Sequence, residues 1–414
     1  MTLLGDLLST VFERRHRLGA GPRADGEPIE RLTRELVSAR DETSGLTAAR
    51  KILARYAALD DEGRIAFFRH LAGDLNLDPA AVREALGAYE AEPSGKSYRA
   101  FTAAAEPPRQ ELIRRLNQLF GATGHLVAMR ADLLRLMGKD PALAALDLDF
   151  KHLFRSWFNR GFLVLRPINW ESPAQVLEKI IAYEAVHAIA SWDDLRRRLA
   201  PPDRRCFAFF HPAMPDEPLI FVEVALTQGV PNSIQRLLDD GHAPLDPELA
   251  DTAVFYSISN CQPGLAGISF GNSLIKQVVS DLSVTLPGLK TFVTLSPIPG
   301  LCRWMSDEGI TPPNEPRAQA ALAAQYLLHA KRPDGLPRDP VARFHLGNGA
   351  MIHAVHAEAD LSENGRSQSL GTMVNYLYDT ARVATNHERF AAQKEVVAAP
   401  DVTRLAASAA PAPA

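Results

Sequence analysis

A chain of 414 residues with 46% hydrophobic and 23% charged residues has an ordinary globular composition and is long enough for two domains. Its net charge of −4 lacks the basic character that nucleic-acid binding requires, and no apolar run approaches the ~20 residues that cross a bilayer, so we expect neither nucleic acid nor a membrane as partner. Cys206, Cys261 and Cys302 are widely spaced and form no CxxC pair, which argues against a disulfide framework and favours the cytoplasm.

The first part of the chain is predicted to be helical. MTLLGDLLSTVFERRHR (1–17) has the pattern of an amphipathic helix, and its acidic residues distinguish it from a signal or transit peptide. Helical spacing of apolar residues is clear in PRQELIRRLNQLF (108–120), and Asp78-Pro79 is a typical helix start. Because strand-like runs are absent here, residues 1–158 are predicted to form an all-α helical bundle.

The composition changes after residue 158. Runs rich in aromatic and β-branched residues alternate with helical patterns, as strands alternate with helices in mixed domains. The strand-like runs are FLVLRPINW (162–170), CFAFFH (206–211), LIFVEVALT (219–227), TAVFYSIS (252–259) and KTFVTLS (290–296). Residues 159–400 are therefore predicted to form an α/β or α+β domain, and the Ala/Pro-rich residues 401–414 a disordered tail.

A glycine-rich loop, residues 261–272, joins one predicted strand to one predicted helix. It follows TAVFYSIS, carries Gly264, Gly267 and Gly271, and leads into a helix that opens near Asn272. Glycines let the backbone approach a phosphate closely, and the free N–H groups at a helix start favour an anion. The spacing matches neither a dinucleotide-binding fold nor a P-loop. A purely structural turn is the alternative.

Two polar residues stand at positions suited to chemistry. Ser296 closes the run KTFVTLS, and Pro297, Pro299 and Gly300 fix a rigid, non-helical exit behind it. His345 lies in RFHLGNGA, and imidazole suits proton donation near neutral pH. A serine in an ordinary turn and a packing histidine are the alternatives. The chain has no G-x-S-x-G at this serine, so the nucleophile elbow of a hydrolase is not indicated.

Other titratable or charged residues are weaker candidates. Glu223 interrupts the apolar run LIFVEVALT, so it needs a partner and is either a structural ion pair or a site residue. His211 ends a strand-like run, and Arg343 is a cation in the histidine segment that is either a surface residue or an anion ligand. His353 and His356 show neither H-E-x-x-H spacing nor an evident carboxylate partner, so we expect no metal.

Four long segments together carry a family resemblance. They are HPAMPDEPLIFVEVALT, FYSISNCQPGLAGISFGNSLIKQVV, LSPIPGL and ARFHLGNGAMIHAVHAEADLS, in this order. Through them the chain from about residue 150 to 380 resembles the malonyl-CoA decarboxylase family, and the helical first part resembles it more loosely. The resemblance implies a GNAT-type acyltransferase fold for the second domain, with decarboxylation of malonyl-CoA to acetyl-CoA as the reaction.

The resemblance also implies which residues act. The CoA pyrophosphate would lie on the glycine-rich loop at Ala266, Gly267, Ile268, Ser269, Phe270, Gly271 and Asn272. Ser296 and His345 would be the catalytic pair, with the serine orienting the malonyl carboxylate and a protonated histidine donating a proton to the α-carbon. No metal or organic cofactor is expected, because the thioester itself accepts the electrons.

Assembly, location and rival functions complete the expectations. The resemblance implies a homo-oligomer, commonly a tetramer, assembled partly through the helical domain. Some members end in a peroxisomal signal, whereas this chain ends in APAPA, which favours a cytoplasmic enzyme. One rival is an acyltransferase of the same fold, which would release free thiol, whereas decarboxylation leaves the thioester intact. The other rival is a scaffold that binds a CoA thioester without turnover.

Overall fold

The structure is a computed structural model that describes residues 27–239, 241, 243–268 and 271–409. It divides into two compact units. The helical unit takes the described residues up to Val164 together with Phe210–Glu217 and the described part of Gln262–Phe270. The sheet unit takes Leu165–Phe209, Pro218–Cys261 and the described residues from Gly271 onward. The first segment of the helical unit thus ends at Val164. The sequence prediction placed the domain boundary after residue 158.

Several helices of the helical unit begin at a capping side chain. Asp41, Asp60, Asp78 and Asp140 each accept a backbone N–H from the first turn of the helix that follows. The helices are α1 (Ile29–Ser38), α2 (Glu42–Ala57), α3 (Asp61–Gly73), α4 (Pro79–Ala91), α5 (Gly95–Ala104), α6 (Pro108–Asn117), α7 (Ala122–Leu136) and α8 (Pro141–Trp157). The predicted all-α first part is confirmed for the residues that the structure describes. The predicted helix at residues 1–17 lies outside them.

Aromatic side chains fill the core of the helical unit. Phe67 and Phe68 on α3 and Phe150 and Phe154 on α8 are buried, and Tyr56 packs against Phe67 with ring centroids 5.4 Å apart. Each such ring removes a large apolar area from water, which is the main stabilising contribution in a bundle of this kind.

The sheet unit is built around one mixed sheet. Its strands are β1 (Val164–Ile168), β2 (Arg204–His211), β3 (Met214–Thr227), β4 (Thr252–Asn260), β5 (Thr291–Thr294), β6 (Ser296–Pro297), β7 (Met351–His356) and β8 (Met373–Leu377). The order is β1-β2-β3-β4-β5-β8-β6, and β7 pairs with β8. The helices between them are α9 (Ala174–Tyr183), α10 (Trp192–Leu199), α11 (Ile234–Leu237), α12 (Gly271–Thr285), α13 (Leu301–Asp307), α14 (Pro316–His329), α15 (Pro340–Gly347), α16 (Glu363–Ser369), α17 (Val383–Gln393) and α18 (Pro400–Ala407). The predicted α+β second part is confirmed.

The parallel pair β4 and β5 separates before β4 ends. The two strands pair from Thr252 opposite Thr291 to Phe255 opposite Thr294, and the Leu295 N–H still donates to the Phe255 carbonyl at 3.0 Å. The chain then leaves β4, because Ser296 pairs instead with Val374 of β8. The two strands therefore diverge beyond Phe255, although β4 continues to Asn260. This divergence places Ser296 where the sheet opens.

The C-terminal residues correct one prediction. Residues 401–407 were predicted to belong to a disordered tail, but they form α18, in which Val402 and Ala406 are buried. Pro400 supplies the first helical position, and the two apolar residues four apart share one helix face. That face packs against α14 and β7. Of the helices that the structure describes, none has both the length and the apolar surface that a membrane span needs.

Candidate active site

Ser296 stands on a backbone that is fixed on both sides. It follows the buried strand β5 and pairs with Val374, while Pro297 and the turn at Gly300 carry the chain away from the sheet. A side chain at Gly300 would not fit, since a Cβ there would lie 2.1 Å from the Tyr326 hydroxyl. The predicted position of the serine at a rigid strand end is confirmed. Its side chain is buried, with 6% of the residue exposed.

His345 comes to the serine from a separate helix. It lies in the last turn of α15, whose start is capped by Asp339 accepting the Ala342 N–H at 2.8 Å. Nε2 of the imidazole is 3.2 Å from Ser296 Oγ, within hydrogen-bond distance. The ring stacks on Tyr376, with centroids 4.5 Å apart and planes 22° from parallel. The two residues that the resemblance paired are therefore in direct contact.

Two further hydroxyl groups extend this contact into a chain. Ser296 Oγ donates to Thr294 Oγ1 at 2.8 Å, and Thr294 Oγ1 also accepts the Tyr376 N–H at 3.1 Å. On the other side of the ring, His345 Nδ1 is 2.8 Å from the Tyr378 hydroxyl. With the serine proton directed at Thr294, a neutral imidazole satisfies both neighbours by donating from Nε2 to the serine and accepting the Tyr378 O–H at Nδ1.

Burial controls the charge state of the imidazole. Only 3% of His345 is exposed, and this burial lowers the pKa of His345 to about 3. Burial also raises the pKa of Tyr378 well above its ordinary value. The ring is therefore neutral in the free protein near pH 7, whereas the sequence interpretation expected a protonated histidine.

Sequence reasoning missed Thr294, Tyr376, Tyr378 and Asn375. Asn375 is fully buried and ties the site to its surroundings, since its Nδ2 donates to the Thr294 carbonyl at 2.7 Å and its Oδ1 lies 2.5 Å from His356 Nε2. The segment MVNYLYD did contain a signal. Its two tyrosines alternate with apolar residues at strand spacing, but their partners come from segments far away in the chain.

Glu223 is buried and contacts an arginine. Its side chain is fully buried on β3, and Oε2 accepts from Arg198 Nη1 at 3.2 Å. Burial, with the nearby Glu184 carboxylate, outweighs Arg198 and raises the pKa of Glu223 to about 8. Oε1 has no hydrogen-bond partner among the described residues. The expected structural partner is therefore present, but the contact lies inside the protein and joins Arg198 to a carboxyl group that is largely protonated near pH 7.

The remaining candidates lie in other settings. His211 belongs to the helical unit, where Nε2 is 3.1 Å from the Trp157 carbonyl and the ring packs on Phe158. Arg343 donates to the carbonyls of Pro337 and Arg338, both at 2.8 Å, and so fixes the loop before α15. Among the described residues, no group of three or more His, Cys, Asp or Glu side chains is arranged to hold a metal.

The glycine-rich loop is described in part. Gly264 approaches α7 so closely that a Cβ there would lie 1.8 Å from the Val127 carbonyl oxygen, and Gly267 has φ +75°. Ser269 and Phe270 lie outside the described residues, and Gly271 and Asn272 begin α12. Glycine is thus required at Gly264 by a close approach to α7 and at Gly267 by the backbone conformation. Phosphate binding by the loop stays a prediction.

Known proteins resemble the chain along most of its length. Residues 161–320 and 314–412 match the family model of the malonyl-CoA decarboxylase C-terminal domain, and residues 75–158 match that of the N-terminal domain. The mitochondrial malonyl-CoA decarboxylase of Anser anser anser is 33% identical over 347 residues, which cover 72% of this chain and 69% of the relative. The mitochondrial enzyme of Rattus norvegicus is 33% identical over 354 residues, 73% of this chain and 71% of the relative.

Solved structures agree with the family models. The crystal structure of malonyl-CoA decarboxylase from Rhodopseudomonas palustris is 48% identical, covers 91% of this chain and 98% of its own, and superposes with a TM-score of 0.85. The structure of malonyl-CoA decarboxylase from Agrobacterium vitis is 48% identical, covers 91% and 99%, and has a TM-score of 0.86. Both likenesses extend over the helical and the sheet parts of the sequence.

Proposed function

The chain belongs to the malonyl-CoA decarboxylase family, and from this premise we propose that it is a carboxy-lyase that converts malonyl-CoA to acetyl-CoA and CO2. The observation that carries the proposal is the buried contact between Ser296 Oγ and His345 Nε2 at 3.2 Å, at the point where β4 and β5 separate. A cleft between separating strands admits an extended thioester arm, and the pair at its end supplies a hydroxyl group and an imidazole.

The reaction itself needs few groups. When CO2 leaves, the electrons of the broken C–C bond pass into the thioester and form an enolate, whose α-carbon then takes up one proton. We propose that neither a metal nor an organic cofactor takes part, because the thioester is the electron acceptor. The protein has to hold the carboxylate in a poorly solvated place, stabilise the enolate oxygen and supply the proton.

Ser296 is proposed to orient the malonyl carboxylate. Its hydroxyl group donates to Thr294 in the free protein, and rotation about one bond turns the same proton toward a bound carboxylate. Because the serine is 6% exposed, a carboxylate bound there loses most of its water, which favours departure of neutral CO2. The hydroxyl acts by hydrogen bonding and is not acylated.

His345 is proposed to donate the proton. The malonyl carboxylate is an anion that would lie beside the neutral, buried imidazole. A negative charge within about 4–6 Å raises the pKa of a histidine. A proton taken up with the substrate then passes from Nε2 to the α-carbon after CO2 has left, which returns the ring to the neutral state. Tyr378 is a positioning residue, since its hydroxyl group at Nδ1 holds the ring with Nε2 toward the serine.

The experiment is turnover of malonyl-CoA followed by mass spectrometry. We expect acetyl-CoA and CO2 from the wild type and, in deuterium oxide, one deuterium in the acetyl methyl group. Ser296→Ala and His345→Gln should each lower kcat by about 100-fold or more. The matched controls are the exposed Ser306→Ala and His329→Gln, which should retain wild-type kcat. Near-normal turnover by both site variants would overturn the assignment, and an acyl adduct on intact protein would overturn the role of the serine.

Assembly and location are further parts of the proposal. Helices α4 and α5 pack on each other yet bury none of their residues within one chain, and Tyr98 is 57% exposed. Such a surface supports a homo-oligomer, proposed as a tetramer, assembled through the helical unit. Cys206 and Cys302 are thiols that form no disulfide, which supports the proposal of a reducing, cytoplasmic location. Light scattering of the full chain tests the first proposal and subcellular fractionation the second.

A further inference from the structure

A buried arginine of the helical unit holds the glycine-rich loop. Arg130 on α7 is fully buried, and its Nη1 donates to the Gly264 carbonyl at 2.6 Å while Nη2 donates to the Ala266 carbonyl at 2.9 Å. Its Nε donates to Asp147 Oδ1 on α8 at 2.8 Å. Two backbone carbonyls are thereby turned toward a cation inside the helical unit. This removes two partial negative charges from the outer side of the loop.

A second cation stands beside the same loop. Lys151 lies one turn after Asp147 on α8, and its Nζ is 2.8 Å from Asp147 Oδ2. Its side chain is 30% exposed, in contrast to Arg130. A Cβ built on Gly267 would lie 3.4 Å from Lys151 Cε, so the lysine stem runs directly along the backbone of that glycine. The ammonium group is therefore at the loop and open to solvent.

The charges of this cluster do not cancel. Burial raises the pKa of Asp147, but hydrogen bonds from Arg130 and Lys151 outweigh burial and hold that pKa below its ordinary value. One carboxylate is thus shared between two cations, which leaves one positive charge. Arg130 uses its donors on the carboxylate and the carbonyls, so the charge that an incoming anion meets is the ammonium group of Lys151.

We propose that the Arg130–Asp147–Lys151 cluster is a phosphate subsite for CoA, in which the Lys151 ammonium group binds an oxygen of the pyrophosphate and Arg130 positions the loop that carries it. The proposal rests on the proposed binding of the CoA pyrophosphate by the glycine-rich loop, which the cluster contacts at Gly264, Ala266 and Gly267. Lysine is a common phosphate ligand as a mobile point charge. Gly267 fits this role, because any other residue would be strained at φ +75°, and its Cβ would touch the lysine stem at 3.4 Å.

A structural role alone is the competing explanation, and the chain contains a matched control for it. Arg109 on α6 is also a buried arginine, and its Nε donates to Asp149 on α8 at 2.6 Å. Its Nη1 donates to the Ala72 carbonyl and to Asn76 Oδ1, which lie among the helices and not on the loop. Arg109→Lys therefore perturbs a comparable buried pair, Arg109 with Asp149, whose contacts lie away from the glycine-rich loop. Lys139 is a matched exposed lysine.

The experiment compares two substrates on the full-length protein. Malonyl-CoA carries the pyrophosphate, whereas malonyl-pantetheine carries the same reacting group without it. Lys151→Ala should raise KM for malonyl-CoA about tenfold, as expected for loss of one charge-assisted contact, with kcat and the KM for malonyl-pantetheine unchanged. Arg130→Lys should raise the same KM in the same selective way. Lys139→Ala and Arg109→Lys should leave both substrates at wild-type KM.

Each outcome decides something different. If Lys151→Ala binds malonyl-CoA as tightly as Lys139→Ala, the phosphate subsite is overturned. If Lys151→Ala impairs both substrates equally, its role is structural and the proposal is again overturned. If the wild type has equal KM for both substrates, the proposed binding of the CoA pyrophosphate by the glycine-rich loop is overturned instead. If the wild type releases no CO2, the decarboxylase proposal fails, and calorimetry of CoA binding to wild type and Lys151→Ala still tests the subsite. Because Lys151 is partly exposed, its variant provides the test even if Arg130→Lys does not fold.

Discussion

Acidification should destabilise the sheet unit through His345, and the size of the effect follows from burial. The imidazole has its ordinary pKa of 6.5 when unfolded, and burial lowers that pKa to about 3 in the folded protein. Between these two values the unfolded chain binds a proton that the folded chain does not. The contribution to stability is therefore complete above about pH 6.5 and is lost as the pH falls toward 3. With about 1.4 kcal/mol for each tenfold change in proton concentration, about 2 kcal/mol is lost by pH 5 and roughly 5 kcal/mol at the limit.

The assay is urea unfolding of the wild type and His345→Gln at pH 8 and pH 5, followed by tryptophan fluorescence. Three of the four tryptophans, Trp170, Trp192 and Trp304, lie in the sheet unit. From pH 8 to pH 5 the wild type should lose about 2 kcal/mol more of its free energy of unfolding than the variant. His329→Gln, at an exposed histidine of the same unit, should behave as the wild type. Equal losses in wild type and His345→Gln would refute the reasoning.

Two other substitutions probe the same unit. Tyr378→Phe removes the hydroxyl group at His345 Nδ1 but keeps the ring, so kcat should fall about tenfold and stability by about 1–3 kcal/mol, both measured against the buried control Tyr256→Phe. Glu223→Gln removes a carboxyl group whose pKa burial raises to about 8. The wild type should therefore lose stability relative to this variant as the pH rises from about 5 to about 8, in a series of urea titrations.

Two results would contradict the predictions for Tyr378→Phe and Glu223→Gln. An unchanged kcat in Tyr378→Phe would show that the tyrosine does not position the imidazole. Parallel pH profiles for wild type and Glu223→Gln would show that the buried carboxyl group is ionised across that range. The exposed control Glu248→Gln should show no pH-dependent difference from the wild type.

The division of the chain into helices followed by a mixed sheet could be predicted, because it depends on local spacing. The apolar periodicity of residues 108–120 and the strand-like runs around Phe221 and Phe255 are properties of short segments. The helix α18 was missed because its stability comes from packing of Val402 and Ala406 on α14, and the Ala/Pro-rich composition gives no sign of that partner. The inclusion of residues 210–217 and 262–268 in the helical unit likewise depends on tertiary contacts.

The proposed catalytic pair, Ser296 and His345, could be named from the resemblance, and the structure brings the two residues into contact. Their supporting groups could not be named. Tyr378 comes to His345 from 33 residues later in the chain, and Thr294, although close to Ser296 in the sequence, gives no sign there that it accepts the serine proton. The neutral state of His345 also could not be predicted from the sequence. RFHLGNGA shows an imidazole, but the depth of its burial is decided by Tyr376 and Tyr378 around it.

The place of Ser296 has a consequence for synthesis of the protein on the ribosome. The serine is fixed by pairing with Val374, and its partner imidazole is fixed through Tyr378, both of which are translated long after it. The helical unit can begin to fold while these residues are still unmade, since domains fold in order of synthesis. A nascent chain therefore acquires its complete site only after Tyr378 has been translated. Premature termination before residue 374 would leave a protein with a folded first part, an assembled α7 and α8, and an unpaired strand β6.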